Sequence, residues 1–169
     1  YIMKILIKIL SNSLLILLLL NTTVLAGTNF GAKGAANEST LNLSKMLNYA
    51  IQDEYLAQAE YAYIIEKFGN SRPFSNIIKA EKKHIEMLVP IFEKYKIFVP
   101  ENIAANYLIK TSSIKESLSA GVQAEIENID MYKHFLKQDL PDDVKVLFER
   151  LMKASQNHLR AFKKALSRY

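Results

Sequence analysis

The sequence predicts an all-α protein, a single four-helix bundle that follows an N-terminal export signal. Apolar residues recur at steps of three and four along four long segments, which is the spacing of one buried helix face. No segment shows the strict alternation that is typical of a half-buried strand. The chain has 169 residues, half of them hydrophobic, which is enough for one domain with a sizeable core.

The first 26 residues have the three parts of a secretory signal peptide. Lys4 and Lys8 give a positive start, an uninterrupted apolar run covers positions 14–20, and Val24-Leu25-Ala26 puts small residues before a cleavage site. We expect cleavage after Ala26 and an exported protein, periplasmic or extracellular, with no stable membrane span. The alternative is an uncleaved anchor, although the run is shorter than the roughly 20 apolar residues that a spanning helix needs.

Charge and composition exclude several classes of function. Without residues 1–26, which hold two lysines and no acid, the chain has 20 basic and 17 acidic side chains. They are spread along every helix, and there is no basic run, aromatic platform or glycine-rich phosphate loop. Nucleic-acid binding therefore has no support. The absence of cysteine excludes thiolate metal ligands and cysteine nucleophiles and leaves stability to packing.

Residues 27–40 are rich in Gly, Ala, Asn, Ser and Thr, a composition that predicts a flexible tether before the bundle at 41–169. The first helix is predicted from about Asn42 to Phe68, where Gly69 follows. The second begins near Pro73, which the first turn of a helix tolerates, and continues to about Tyr95.

The third helix is predicted from about Ile114 to Gln138, and the fourth from Pro141-Asp142-Asp143, whose acids favour a helix N-terminus, to the end of the chain. The connections within each pair are short, and residues 96–113 join the pairs. Two antiparallel hairpins joined by one long crossover form the connectivity of ferritin-like bundles. Because no fifth helix follows, we expect a monomer or dimer instead of a cage.

Polar residues interrupt the apolar stripe in the middle of every predicted helix. The inward polar positions, in chain order, are Glu54, Glu81, His84, Glu125, Ser155 and His158. Three buried carboxylates are very unfavourable unless protonation, a network with the imidazoles, or a metal neutralises them. Inward glutamates from two helices with Glu-x-x-His from the others form the ligand pattern of ferritin-like di-metal sites, and such oxygen and nitrogen ligands suit iron or manganese.

The predicted metal ligands are therefore Glu54, Glu81, His84, Glu125 and His158. The competing interpretation is a buried Glu–His ion-pair layer without metal. The remaining acids and the third histidine lie off the stripes and are expected on wet faces: Asp53, Glu60, Glu66, Glu86, Glu93, Glu127, Asp130, His134 and Glu149. Tyr61, Tyr95 and Tyr132 occupy stripe positions and are interpreted as core packing.

Four motifs in order resemble an uncharacterised ferritin-like family of bacteria and archaea, a domain of unknown function. They are Glu54-Tyr-Leu-Ala-x3-Tyr61, then Phe74-Ser-Asn-Ile-x3-Glu81-x2-His84 with Phe92-Glu-Lys-Tyr95, then Gly121-x3-Glu125, then Ser155-x-Asn157-His158-Leu-x-Ala-Phe162. The resemblance covers about Leu41 to Leu166. It implies a ferritin-like metal-binding protein that handles iron or manganese, or performs redox chemistry on oxygen or peroxide.

The sequence departs from a complete di-iron ligand set in its fourth helix. Ser155-x-x-His158 stands where di-iron members of the superfamily carry Glu-x-x-His, so three acids remain where four would balance two divalent cations. Asn128, one turn after Glu125, either offers a carbonyl oxygen to the metal or supports the ligands from outside. Ser155 is interpreted in the same supporting role. A one-metal site and a weaker two-metal site both remain open. The alternative function is a non-catalytic helical bundle of the cell envelope that retains a buried polar layer.

Overall fold

The computed structural model describes residues 29–169, so the predicted signal peptide and its cleavage site lie outside the described part of the chain. The described residues form five α-helices and one 3₁₀ helix. They are α1 (Gly31–Ala36), α2 (Leu43–Phe68), α3 (Phe74–Lys94), the 3₁₀ helix (Ala104–Tyr107), α4 (Ile114–Phe135) and α5 (Asp142–Leu166). No strand occurs between residues 29 and 169, so the predicted all-α class is confirmed.

Local chemistry sets the ends of the long helices. The side chain of Asn42 accepts a hydrogen bond from the backbone N–H of Lys45, and Ser113 accepts one from Glu116, so both residues cap helix N-termini as their types favour. Gly69 ends α2 with a positive φ of 88°, a conformation that glycine adopts without strain. These boundaries match the predicted ones to within about three residues.

Helices α2 and α3 pack as one antiparallel hairpin, and α4 and α5 pack as the other. Contacts of α2 with α4 and of α3 with α5 join the hairpins into a four-helix bundle. The crossover between the hairpins carries the 3₁₀ helix, which packs on α2. This is the two-hairpin connectivity predicted from the loop lengths. Among the described helices, none is long and apolar enough to span a membrane.

Two separate apolar clusters form the core, and the inward polar residues lie between them on every long helix. One cluster includes Leu47, Leu88, Phe135 and Phe148, and the other is centred on three aromatic rings. Those rings belong to Tyr61, Phe74 and Phe162, with centroids 5.2–5.7 Å apart. Each cluster holds one half of the bundle together, and a polar layer separates the halves.

The segment predicted as a flexible tether is ordered in its described part, and that prediction is wrong there. Gly31–Ala36 form α1, which packs on α2 and α4, and Phe30 stacks on Tyr107 with ring centroids 4.2 Å apart. The small residues permit this close approach. A Cβ on Gly34 would lie 2.7 Å from the Tyr49 ring, and one on Gly31, whose φ is +57°, would lie 2.5 Å from an Asp53 carboxylate oxygen. The small residues that predicted a flexible segment therefore allow close packing here.

Candidate metal centre

The five predicted ligand side chains meet in the polar layer at the middle of the bundle. Glu54 comes from α2, Glu81 and His84 from α3, Glu125 from α4 and His158 from α5, and all five are buried. The predicted convergence of these side chains is therefore confirmed. It follows from the helical repeat, because each residue continues the apolar stripe that faces the other three helices.

One half of the layer is a triad of Glu54, Glu81 and His84. The imidazole Nδ1 of His84 lies 2.8 Å from Oε2 of Glu81 and 2.9 Å from Oε2 of Glu54. Glu81 and His84 are three residues apart on α3, which places both side chains on one helix face. One potential ligand atom from each member lies within 4.8 Å of those from the other two.

The other half is a triad of Glu81, Glu125 and His158. Nδ1 of His158 lies 3.2 Å from Oε1 of Glu81 and 3.4 Å from Oε1 of Glu125. Glu81 therefore belongs to both triads and directs one carboxylate oxygen to each imidazole. The rings of His84 and His158 are nearly parallel, at an interplanar angle of 22° and a centroid distance of 5.7 Å.

Two buried tyrosines donate hydrogen bonds to the outer carboxylates. The hydroxyl of Tyr132 donates to Oε1 of Glu54 at 3.0 Å, and that of Tyr61 donates to Oε1 of Glu125 at 3.1 Å. Burial and the neighbouring acids raise the pKa of both phenols well above the usual value, so both remain donors. The sequence predicted these tyrosines as core residues, and the structure adds that each one orients an acid of the layer.

Burial and charge contacts shift the pKa of every ionisable group in the layer. Burial, reinforced by the charge of Glu81, raises the pKa of the Glu54 carboxyl, and burial also raises that of Glu125. Burial opposes ionisation of Glu81 as well, but its contacts with His158 and His84 outweigh burial and lower its pKa. For the imidazoles burial is again outweighed, because the adjacent carboxylates raise the pKa of His84 to about 10 and that of His158 to about 9. Without a metal, protons on the imidazoles balance the layer's negative charge.

A hydrogen-bonded chain leads from Ser155, the residue in place of the fourth acid, to α1. The Ser155 hydroxyl donates to Oδ1 of Asn128 at 2.6 Å, and Nδ2 of Asn128 donates to Oδ2 of Asp53 at 2.6 Å. Oδ1 of Asp53 accepts from the backbone N–H of Ala32 at 2.7 Å. Asn128 and Ser155 are both buried, and their supporting role at the predicted metal ligands stays a prediction.

The prediction that Asp53, Glu60 and Glu127 lie on wet faces is wrong, because all three are half-buried. Burial raises the pKa of Asp53 to about 6 and that of Glu60 to about 7, where Glu60 accepts a hydrogen bond from the Ile109 backbone. Helix α1 and the crossover cover this side of α2, and neither covering was predicted. The residues correctly expected to be exposed are Glu66, Glu86, Glu93, Asp130, His134 and Glu149.

The donor set fits divalent cations. Each triad offers two carboxylate groups and one imidazole nitrogen, the combination of oxygen and nitrogen ligands that iron and manganese accept. Nδ1 of His158 is buried and has no partner in hydrogen-bond geometry, although two carboxylate oxygens lie within 3.4 Å of it. A buried nitrogen aimed at acids without hydrogen-bonding to them is suited to share an ion with them.

The fold and the layer together define a ferritin-like helical-bundle protein with a buried carboxylate–histidine cluster that is compatible with metal binding. The chain belongs to the rubrerythrin family, whose family model matches residues 45–166. It is similar to the uncharacterised protein MJ0754 of Methanocaldococcus jannaschii, with 28% identity over 133 residues, 70% of this chain and 71% of that protein.

The fold is also that of a solved structure. The crystal structure of hypothetical protein MJ0754 from Methanococcus jannaschii DSM 2661 matches with a TM-score of 0.67 at 23% identity, over 78% of this chain and 85% of that one. At this identity the likeness shows the fold alone.

Proposed function

We propose that the protein binds divalent iron or manganese at the polar layer, at two positions that share Glu81. The observation that carries this proposal is the pair of overlapping triads, in which one carboxylate directs an oxygen to each of two buried imidazoles. Three acids balance two divalent cations less completely than four. The position next to Glu54 and His84, where the contacts are 2.8–2.9 Å, is proposed to bind more tightly than the position next to His158.

We further propose that the loaded site reacts with a small oxidant, oxygen or peroxide. A bound iron pair would supply the redox equivalents for that chemistry. The chain's own contribution is to hold the outer acids in place through Tyr61 and Tyr132 and to keep two protonated imidazoles close to the carboxylates until metal arrives. Membership of the rubrerythrin family supports this assignment of reaction class.

The second candidate function is a bundle that works without metal, with the polar layer as a hydrogen-bonded network. The serine in place of the fourth acid favours it, because Ser155 is satisfied by Asn128 and leaves only three acids to neutralise. The two candidates differ in one measurable property, which is stoichiometric metal in the purified protein.

Replacing the shared carboxylate by its neutral isostere is expected to abolish metal binding at both positions. For Glu81→Gln we expect the affinity for Mn²⁺ to fall by more than about 100-fold, since even partners outside the ligand set contribute about 10–100-fold. Isothermal titration and elemental analysis of protein reconstituted with Mn²⁺ or Fe²⁺ measure this.

The matched control is Glu86→Gln, the same change at an exposed position of α3, two residues after His84. It should bind like the wild type. Melting curves of both variants establish that they are folded. A wild type that binds neither ion would leave the metal-free bundle as the function, and equal binding by Glu81→Gln would remove Glu81 from the site.

We propose that the protein works outside the cytoplasm, on the strength of the signal-like segment at residues 1–26. Expression of the full chain in an exporting bacterium is expected to give a mature form that begins at Gly27. Intact-mass measurement of the envelope fraction checks this. A protein that retains residues 4–26 would support the membrane-anchor alternative instead.

A further inference from the structure

The chain from α1 to Ser155 has a fixed hydrogen-bond direction. The backbone N–H of Ala32 can only donate, so it must point at an acceptor, which is Oδ1 of Asp53. An ionised carboxylate has no hydrogen to give, so Asp53 accepts again at Oδ2, and the group opposite must be the amide nitrogen of Asn128. The contact between Ala32 of α1 and Asp53 therefore determines the orientation of the Asn128 amide.

That orientation determines what Ser155 can offer to the metal centre. With its nitrogen on Asp53, Asn128 turns its carbonyl oxygen to Ser155, and a carbonyl oxygen can only accept. The Ser155 hydroxyl donates its single hydrogen to the Asn128 oxygen at 2.6 Å. The carbonyl oxygen of Leu151 is the more distant acceptor, at 3.2 Å. The hydroxyl oxygen then keeps its lone pairs free. Ser155 lies one turn before His158 on the buried stripe of α5.

We propose that Asp53 is a positioning residue that, through Asn128, holds Ser155 as a neutral oxygen donor to the metal centre in place of the missing fourth carboxylate. The negative charge that a fourth glutamate would carry is then held by Asp53, two hydrogen bonds away from the Ser155 oxygen. The inference rests on the proposed function. It also gives the ordered segment at α1 a role, because the Ala32 N–H sets the direction of the whole chain.

The isosteric change Asp53→Asn is expected to reverse the chain. Its carbonyl oxygen still accepts from Ala32, so its amide nitrogen faces Asn128, and Asn128 turns over to present its oxygen. The Asn128 nitrogen then donates to Ser155 and occupies a lone pair that the metal would use. We expect the affinity for Co²⁺ at pH 8 to fall by about tenfold or more, the size of effect that outer partners of metal ligands have.

The test compares Co²⁺ affinity and the visible Co²⁺ absorption spectrum in the wild type, Asp53→Asn, Ser155→Ala and the double variant. Loss of one oxygen donor lowers the coordination number and intensifies the spectrum. Both single variants should show the same spectral change, and Asp53→Asn should change nothing further once Ser155 is alanine. Glu60→Gln is the matched control, since it neutralises another half-buried acid of α2 and should leave the spectrum unchanged.

Several outcomes would overturn the inference while leaving the proposed function in place. They are an unchanged spectrum in Ser155→Ala, an equal effect of Glu60→Gln and Asp53→Asn, and an undiminished effect of Asp53→Asn in the alanine background. A wild type that binds no Co²⁺, Mn²⁺ or Fe²⁺ would instead overturn the proposed function and this inference with it. If Asp53→Asn does not fold, Asn128→Ala removes the link without covering a lone pair of Ser155. It should lower the affinity for Co²⁺, because the hydroxyl is no longer held in place, and this loss should disappear in the Ser155→Ala background.

Discussion

Restoring a carboxylate at position 155 should make the metal-free protein less stable and the metal-loaded protein more stable. Ser155 is buried beside Asn128, so a glutamate there adds a fourth acid to a layer that already holds three. Burying that acid is expected to destabilise the metal-free fold on the order of 3 kcal/mol, or roughly 10 °C in melting temperature. Bound metal should reverse the loss, because a ligand that binds only the folded state raises its stability.

The matched control for Ser155→Glu is Ser155→Gln, which adds the same volume without the charge. The longer side chain destabilises both variants to the same extent, so their difference in melting temperature isolates the effect of the carboxylate. With Mn²⁺ or Fe²⁺, only the glutamate variant should gain more than the wild type gains, and it should bind the second ion more tightly. If both variants melt together with and without metal, position 155 does not act on the charge of the layer.

The metal-free protein is also expected to lose stability as the pH rises from 6 to 9. The folded-state pKa of His84 is about 10 and that of His158 about 9, both above the ordinary value of 6.5. Their stabilisation is therefore complete below about pH 6.5 and is lost as the pH approaches 9–10. The raised pKa values of Glu54 and Glu125 act in the same direction, since the folded state keeps protons that the unfolded state has released.

Each extra proton held by the folded state changes the free energy of unfolding by about 1.4 kcal/mol per pH unit, so one such proton gives a loss of roughly 4 kcal/mol over this range. Urea unfolding at pH 6, 7.5 and 9 measures it. Glu81, whose pKa is lowered, loses its contribution only in acid and does not affect this range. His134→Asn, at an exposed histidine, should keep the wild-type profile.

The unfolding free energy of the metal-loaded protein can be measured over the same pH range. Because metal replaces the protons of the layer, the loaded protein should show a flatter dependence of unfolding free energy on pH, and metal affinity should rise with pH. Constant stability of the metal-free protein from pH 6 to 9 would mean that the layer holds no excess protons.

The sequence was sufficient to predict the four long helices and the five side chains of the two triads. Each of these five residues, His84 included, replaces an apolar residue in a stripe of helical period, and that period fixes which side of a helix faces the core. The prediction needed no knowledge of contacts between distant residues, because every stripe must face the same interior.

Asp53 and α1 could not be found in this way. Helix α1 has six residues, fewer than two turns, so no periodic stripe can be traced through it. The burial of Asp53 depends on a contact with Ala32, 21 residues away, and on an Asn128 amide from another hairpin. Contacts of this kind depend on how helices pack, which the pattern within one helix does not encode.

The polar layer between the two apolar clusters also fixes the position of each helix along its own axis relative to its neighbours. A slide of one turn moves a helix by about 5.4 Å and would carry a charged side chain such as Glu81 into one of the apolar clusters. Such a misaligned bundle would bury an acid away from both imidazoles, which is strongly unfavourable. The residues of the polar layer therefore also specify a single alignment of all four helices along the bundle axis, which uniform apolar stripes would not specify.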